Sequence, residues 1–293
     1  MLKAMIADGK LTFESRVRGI AIYLDTYAIN SLAMGDASLR RRFIAAINNG
    51  ADLLFSGTNA VEISGATGVS SEAVKAFLND VGPNWYPIEM LLDDVINREK
   101  QGLPPDACCV DVNLIRAFFS NRTSAAIPGS GRVVDLSDNF FRLGIFVDWL
   151  APQREHFLEQ KRQFDRVMKE LICKLRAKHK RNPDWLDQSM PQPVFSPARA
   201  ATFAYYCLLR ELIRDRGFQI KDGDAMDFHH AVMASAFANF AALDKHWKRR
   251  IINLPKPNQI PHVYYKPELS AMVADIETAL SQLKSLAAPR VRL

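Results

Sequence analysis

Gly19-Ile20-Ala21-Ile22-Tyr23-Leu24 is an apolar run that stops on a charge, Asp25. With no polar residue alternating through it, the run suits a strand covered on both faces, as in a parallel sheet. From Ala28 to Asn48 the pattern turns helical, and Asn49-Gly50 marks a turn. Asp52-Leu53-Leu54-Phe55-Ser56 is a second short apolar run, followed by a polar Gly57-Thr58-Asn59 break. Asn59 is a candidate N-cap for a helix that carries Glu62 on its first turn. A helix follows Ser70-Ser71 and ends near Val81, Trp85–Ile88 is a brief extended piece, and Ile88–Glu99 reads as helical.

The same alternation returns late in the chain. Helices are predicted over Ala198–Arg216 and Asp227–Ala238, then a short strand over Asn239–Leu243 that again ends on an acid, Asp244. Val263-Tyr264-Tyr265 reads as a further strand, and Pro267–Leu286 as an amphipathic closing helix. The middle is helical: Asp111–Phe119, Leu143–Leu150 and Gln153–His179, the last about 40 Å long at ~1.5 Å per residue. Pro183–Pro197 reads as a loop or linker, and Pro128-Gly129-Ser130-Gly131 as a loop too short for a phosphate-cradling fingerprint. The expected fold is α/β, a central parallel sheet flanked by helices with a mostly helical insertion. Residues 1–100 and 200–293 form the two halves of the sheet domain, and 101–199 the insertion.

Composition narrows the function classes. At 293 residues, 48% of them apolar and 24% charged, the chain has the makings of a packed core, which excludes a disordered chain or a rod. Its four cysteines make no disulfide scaffold, and the adjacent Cys108 and Cys109 lack zinc spacing. The longest small-apolar run, Ala231–Leu243, is 13 positions with Ser235 and Asn239 inside it, short of the roughly 18 a membrane helix needs. Lys3, Asp8 and Lys10 leave no room for a signal-peptide apolar region, so a cytoplasmic protein is expected. The net charge of +6 is local: residues 154–181 hold ten Lys/Arg against four acids. A basic segment on a neutral body points to a polyanionic partner, or to a solvated helix face.

The acids carry the chemistry. Asp25 and Asp244 each follow a predicted strand, and ligands of open parallel sheets gather beyond the carboxyl ends of the strands. Asp224 and Asp227 stand three apart at a helix start, with His230 three further on, on roughly one helical face. With Glu62, up to five carboxylates far apart in sequence converge on one sheet edge. Crowded carboxylates repel unless protonated or bridged by a cation, and hard oxygen ligands suit Mg²⁺ or Mn²⁺. Such ions promote phosphodiester hydrolysis. Taken singly, each acid has a plain structural reading as a turn residue or helix cap. His229, His230 and His246 lack the i, i+4 spacing of a helical zinc site, and read as packing or capping residues.

The successive stretches Ile20–Thr26, Asn59–Ile63, Asp224–His230 and Phe240–Trp247 resemble, in order and context, the motifs of PIN-domain nucleases. The similarity covers about residues 18–100 and 200–268; 101–199 has no counterpart. The resemblance implies a Mg²⁺- or Mn²⁺-dependent nuclease, usually acting on RNA. Asp25 would be the first metal ligand, Glu62 the second acid and Asp227 the third, with Asp224 competing. Asp244 would be the fourth, orienting the attacking water. Ala242 departs from the pattern, which often has Ser or Thr there, and this puts the water network in doubt. Lys245, Lys248 and Arg249 after Asp244, and Lys174, Arg176 and Lys178 on the long helix, are candidate contacts to a nucleic-acid backbone.

The expected activity is therefore endoribonuclease, with RNA ahead of DNA as substrate. A DNA or flap-type nuclease, and a catalytically weak nucleic-acid-binding or scaffold protein of the same fold, are the alternatives. A phosphatase of the haloacid dehalogenase type needs Asp-x-Asp after the first strand, and Thr26-Tyr27 excludes it. Nothing in the sequence decides homo-oligomerisation or pairing with an antitoxin.

Overall fold

A computed structural model describes residues 2–7, 10–15, 17–65, 68–126, 142–255 and 260–287. An antiparallel hairpin opens the chain, β1 (Leu2–Ala7) with β2 (Lys10–Ser15), an element the sequence pattern did not suggest. The sheet that organises the fold has five strands: β3 (Ile20–Leu24), β4 (Ala51–Ser56), β5 (Trp85–Ile88), β6 (Phe240–Ala242) and β7 (His262–Tyr264). Every pairing is parallel and the order is β5-β4-β3-β6-β7. All residues of β3 and β4 are buried, as expected for strands covered on both faces.

Alternate strand residues serve opposite faces, so one sheet makes two cores. Ile20, Ile22, Leu24, Leu53, Phe55 and Trp85 face one core; Ala21, Tyr23, Leu54, Tyr86 and Ile88 face the other. Thus Trp85 and Tyr86, adjacent in sequence, are both interior residues on opposite faces of the sheet. The first face is covered by α1 (Thr26–Met34), α2 (Ala37–Asn48), α3 (Gly57–Ser64), α4 (Gly68–Val81) and three later helices. The expected single helix over 28–48 is two, because Gly35 ends α1 and the Asp36 carboxylate caps α2 through Ser38 N–H, 2.8 Å. Ser56, not Asn59, caps α3; Asn59 supplies the reciprocal half of the capping box.

The segment expected as an insertion is built into these cores. After α5 (Leu92–Lys100), it comprises α6 (Pro105–Cys109), α7 (Val112–Ala126), α8 (Leu143–Leu150), α9 (Arg154–Arg181) and α10 (Trp185–Ser189); residues 128–131 lie outside the described residues. Phe146 of α8 packs on Phe55 and Trp85 of the sheet, its ring centroid 4.9 Å from that of Trp85, and Phe118 of α7 packs edge-on against Phe146. The second face is closed by α9, α11 (Ala200–Arg214), α12 (Asp224–Phe237) and α13 (Lys245–Ile252), while α14 (Leu269–Ala287) returns to the first.

Two buried acids fasten these helices. Glu99 accepts from the N–H groups of Ala201 and Thr202, each 2.8 Å away, at the start of α11. Asp165 of α9 accepts from Gly223 N–H, 2.9 Å, and Ala225 N–H, 3.3 Å, at the start of α12. Gly223 enters that helix with φ 98°, where a side chain would strain the backbone. The basic long helix is thereby pinned to the helix that carries Asp227.

No helix among the described residues is long and apolar enough to cross a membrane.

Candidate active site

The sheet changes direction of growth at β3. The chain adds β4 and β5 on one side, then returns to add β6 and β7 on the other. The crevice beyond the carboxyl ends of β3 and β6 is the topological switch point, where ligands of open parallel sheets bind. Asp25 and Asp244 stand there. Asp25 N–H donates to Ala242 O, 3.0 Å, which draws the two strand ends together. Tyr27 OH reaches back to Leu243 O, 2.7 Å, and holds the β6 end beside α1.

Each acid is placed by its local structure. Asp25 is the N-cap of α1, and its carboxylate accepts from Thr26 N–H at 2.6 Å. Glu62 lies in the second turn of α3, not the first as the sequence suggested. One of its oxygens accepts from Thr26 Oγ1, 2.6 Å, and the other from Lys161 Nζ of α9, 2.5 Å. Asp227 sits in the first turn of α12 and Asp244 at the N-cap of α13, neither with a hydrogen bond to its carboxylate among the described residues. Asp224, one turn before Asp227, closes its own loop by accepting from Lys221 N–H at 2.6 Å.

Electrostatics separates Asp227 from Asp224. Asp227 is pushed up to about 8, first by burial, then by the charge of Asp25, and further by Asp244 and Glu62. Asp25 is pushed up to about 7, again by burial first, with Asp244 and Glu62 adding to it. Four carboxylates from four segments therefore feel one another across a single cleft. Asp224 is absent from that set and acts on His246 instead. Glu62 behaves differently. Burial raises it, but the His230 ring, the Lys161 ammonium and the bonds from Lys161 and Thr26 outweigh burial and hold it below its ordinary range.

Lys161 was not singled out from the sequence as a site residue. It lay among ten basic residues, and no spacing marked which of them turns inward. Thr26, whose hydroxyl bridges to Glu62, was visible only as the neighbour of Asp25. The floor beneath the acids is neutral: Tyr23 OH bonds His230 Nδ1 within the core, and burial pushes His230 down to about 4. His230 Nε2 is buried without a hydrogen-bond partner. His229 bonds Met90 O through Nδ1, 2.6 Å, and burial holds it too at about 4. His246 stacks on Phe218.

Among the described residues, no three His, Cys, Asp or Glu side chains stand as a ready ligand set for one cation. The charge inside the cleft that answers the carboxylates is that of Lys161.

The candidate backbone contacts divide. Lys174 and Arg249 are exposed. Lys245 and Lys248 lie over the Tyr265 ring, at 6.0 and 5.2 Å, and Lys248 also pairs with Glu268. Lys178 lies over Trp185. Arg176 is committed to the fold, donating to the carbonyls of Leu212, Asp215 and Phe218 at 2.7 to 2.9 Å.

The architecture is that of an α/β protein with an all-parallel sheet and an acidic cleft at its switch point. A scan against protein-family models finds no match, and neither curated proteins nor solved structures yield one.

Proposed function

We propose that the protein is a divalent-metal-dependent nuclease, acting on RNA ahead of DNA, with Asp25, Asp227 and Asp244 as the cation-binding acids and Glu62 as their positioned partner. The observation that carries this reading is the meeting of four carboxylates at the switch point. Two of these half-buried acids, Asp25 and Asp227, are opposed in their ionisation by burial and by the neighbouring carboxylates, and so stand in need of positive charge. The donors are hard oxygens, of the kind Mg²⁺ and Mn²⁺ take. An unpartnered buried nitrogen on His230, in the field of Glu62, adds a polar group that the fold itself leaves unused. In kind, then, the residues fit the cation.

When bound, the ion supplies Lewis acidity toward the phosphodiester and a water of lowered pKa. The chain's own groups orient the cleft. Thr26 and Lys161 fix both oxygens of Glu62, and the Asp25–Ala242 and Tyr27–Leu243 bonds hold the two strand ends in register. Lys161 also presents an ammonium to the cleft, suited to a phosphate oxygen. The resemblance of Ile20–Thr26, Asn59–Ile63, Asp224–His230 and Phe240–Trp247 to PIN-domain motifs supports the same chemistry.

The Lys161–Glu62 pair favours a second reading, a nucleic-acid-binding protein of this fold in which a lysine takes the place of the ion. Labelled single-stranded RNA and DNA, incubated with Mg²⁺, Mn²⁺ or EDTA, separate the two. The expected result is metal-dependent RNA cleavage that Asp25→Asn abolishes. Binding without cleavage under every condition would transfer the assignment to the second reading.

A further inference from the structure

Beside the acidic cleft lies a cavity of about 640 Å³ that the mechanism above does not use. It falls within the roughly 300–1,000 Å³ typical of small-molecule sites. Glu62 and Lys161 line it, so it is continuous with the cleft. Its remaining walls are mostly apolar, and the rings of Phe157 and Phe164 from α9 are among them. Phe164 is held edge-on by His229, ring centroids 4.5 Å apart. Leu91 and Val167, also in the lining, leave 62% and 57% of their surface exposed, which is unusual for large apolar side chains.

The polar groups of the cavity are selective. Glu89 is already satisfied: it accepts from Met90 and Leu91 N–H, each 3.0 Å, and from Arg98 at 3.3 Å. Asp111 is not. Its carboxylate caps α7, accepting from Leu114 N–H at 2.8 Å and drawing on the Asn113 N–H as well, but no side chain donates to it among the described residues, and a carboxylate has lone pairs for more than these two. A phosphate would meet three carboxylates here against one lysine, and greasy walls. The part of a nucleic acid that suits such a space is a base, which offers flat apolar faces to aromatic rings and N–H groups at its edge.

We propose that this cavity receives one unstacked base next to the scissile phosphate, with Phe157 and Phe164 against its faces and Asp111 at its edge, and that the base is guanine. A carboxylate accepts two parallel N–H bonds, and guanine is the base whose Watson–Crick edge offers two adjacent N–H groups, N1–H and N2–H₂. Uracil offers one N–H between two carbonyls, which the carboxylate repels. Burial and the neighbouring Glu89 push Asp111 up to about 6, which is still below neutral pH, so it stands there mainly as the carboxylate.

This inference rests on the nuclease reading for its phosphate, and its test is arranged to fail separately. The probes are a hexamer of uridylates and the same hexamer with one central guanylate. Each binds the native chain in EDTA, followed by fluorescence anisotropy, and each is then assayed for cleavage in Mn²⁺. One guanine should raise affinity about tenfold, as a good bidentate pair does. Asp111→Asn should erase that gain, and since Asn caps helices as well as Asp does, the variant should melt as the native chain does. Phe164→Leu should weaken the guanine probe and leave the uridylate hexamer little changed. Equal binding of the two probes, or a guanine preference that survives Asp111→Asn, would overturn the pocket even where both are cleaved. Guanine-selective binding without cleavage would uphold the pocket and refute the nuclease.

Discussion

Asp227→Asn tests whether the acids truly crowd one another. An unfolded aspartate ionises near ~3.9, whereas Asp227 in the fold ionises at about 8. A carboxyl raised in the fold costs stability once pH exceeds its unfolded value, and the cost grows until pH passes the folded value. By linkage that cost is about 1.5 kcal/mol at pH 5 and about 5 kcal/mol at pH 9. Water reaching the partly exposed carboxylate trims the increase to about 2–4 kcal/mol. The same discount leaves about 1 kcal/mol or less at pH 5, where the folded Asp227 carboxyl is protonated and carries no charge for the variant to lose. In EDTA, denaturant unfolding should therefore find Asp227→Asn close to native stability at pH 5 and about 2–4 kcal/mol more stable at pH 9. Saturating Mn²⁺ should shrink the gain, because a bound cation stabilises the native chain through the charge the variant lacks. A variant destabilised equally at both pH values would refute the reasoning and return Asp227 to the role of a structural helix-start acid.

Two further substitutions probe the helix that reaches into the cleft. Lys161→Met leaves Glu62 without its counter-charge. Glu62 lies below its ordinary range, so its contribution is present above the unfolded value of ~4.3 and is lost as pH falls through the folded value. Unfolding should show the variant about 1–3 kcal/mol less stable at pH 7, discounted for the partial exposure of the pair, with the difference closing near pH 3. A gap that stays open in acid would mean that the lysine acts through its packing. Arg176→Ala removes a guanidinium that satisfies three backbone carbonyls, and should lose about 2–4 kcal/mol in thermal or denaturant unfolding. It should leave the salt slope of RNA binding unchanged, whereas Lys174→Ala with Lys178→Ala should flatten it by about one to two counterions. A flatter slope for Arg176→Ala would place that residue at the interface after all.

By itself the sequence determined the sheet and the acids that border it. The run Ile20–Leu24, apolar without alternation, suits a strand covered on both faces, and each strand that ends in a charge marks an edge where the chain leaves the core. That logic is local, so Asp25 and Asp244 could be read from their own neighbourhoods. The break between α1 and α2 and the Ser56 cap were harder, because Gly35 and Asn59 carry signals compatible with more than one boundary. Tertiary structure alone decided the rest. Asp227 rather than Asp224 joins the cluster because helix rotation, fixed partly by Asp165 from α9, sets which acid faces Asp25. Lys161 enters the cleft, and Arg176 leaves the candidate interface, because of what α9 packs against: α3 and α12 near Lys161, the end of α11 near Arg176. A run of like charges on one helix fixes how many cations exist there. Which of them meets a carboxylate, a carbonyl or water depends on neighbours some 40 to 100 residues away, and that information is not written in the spacing of the run itself.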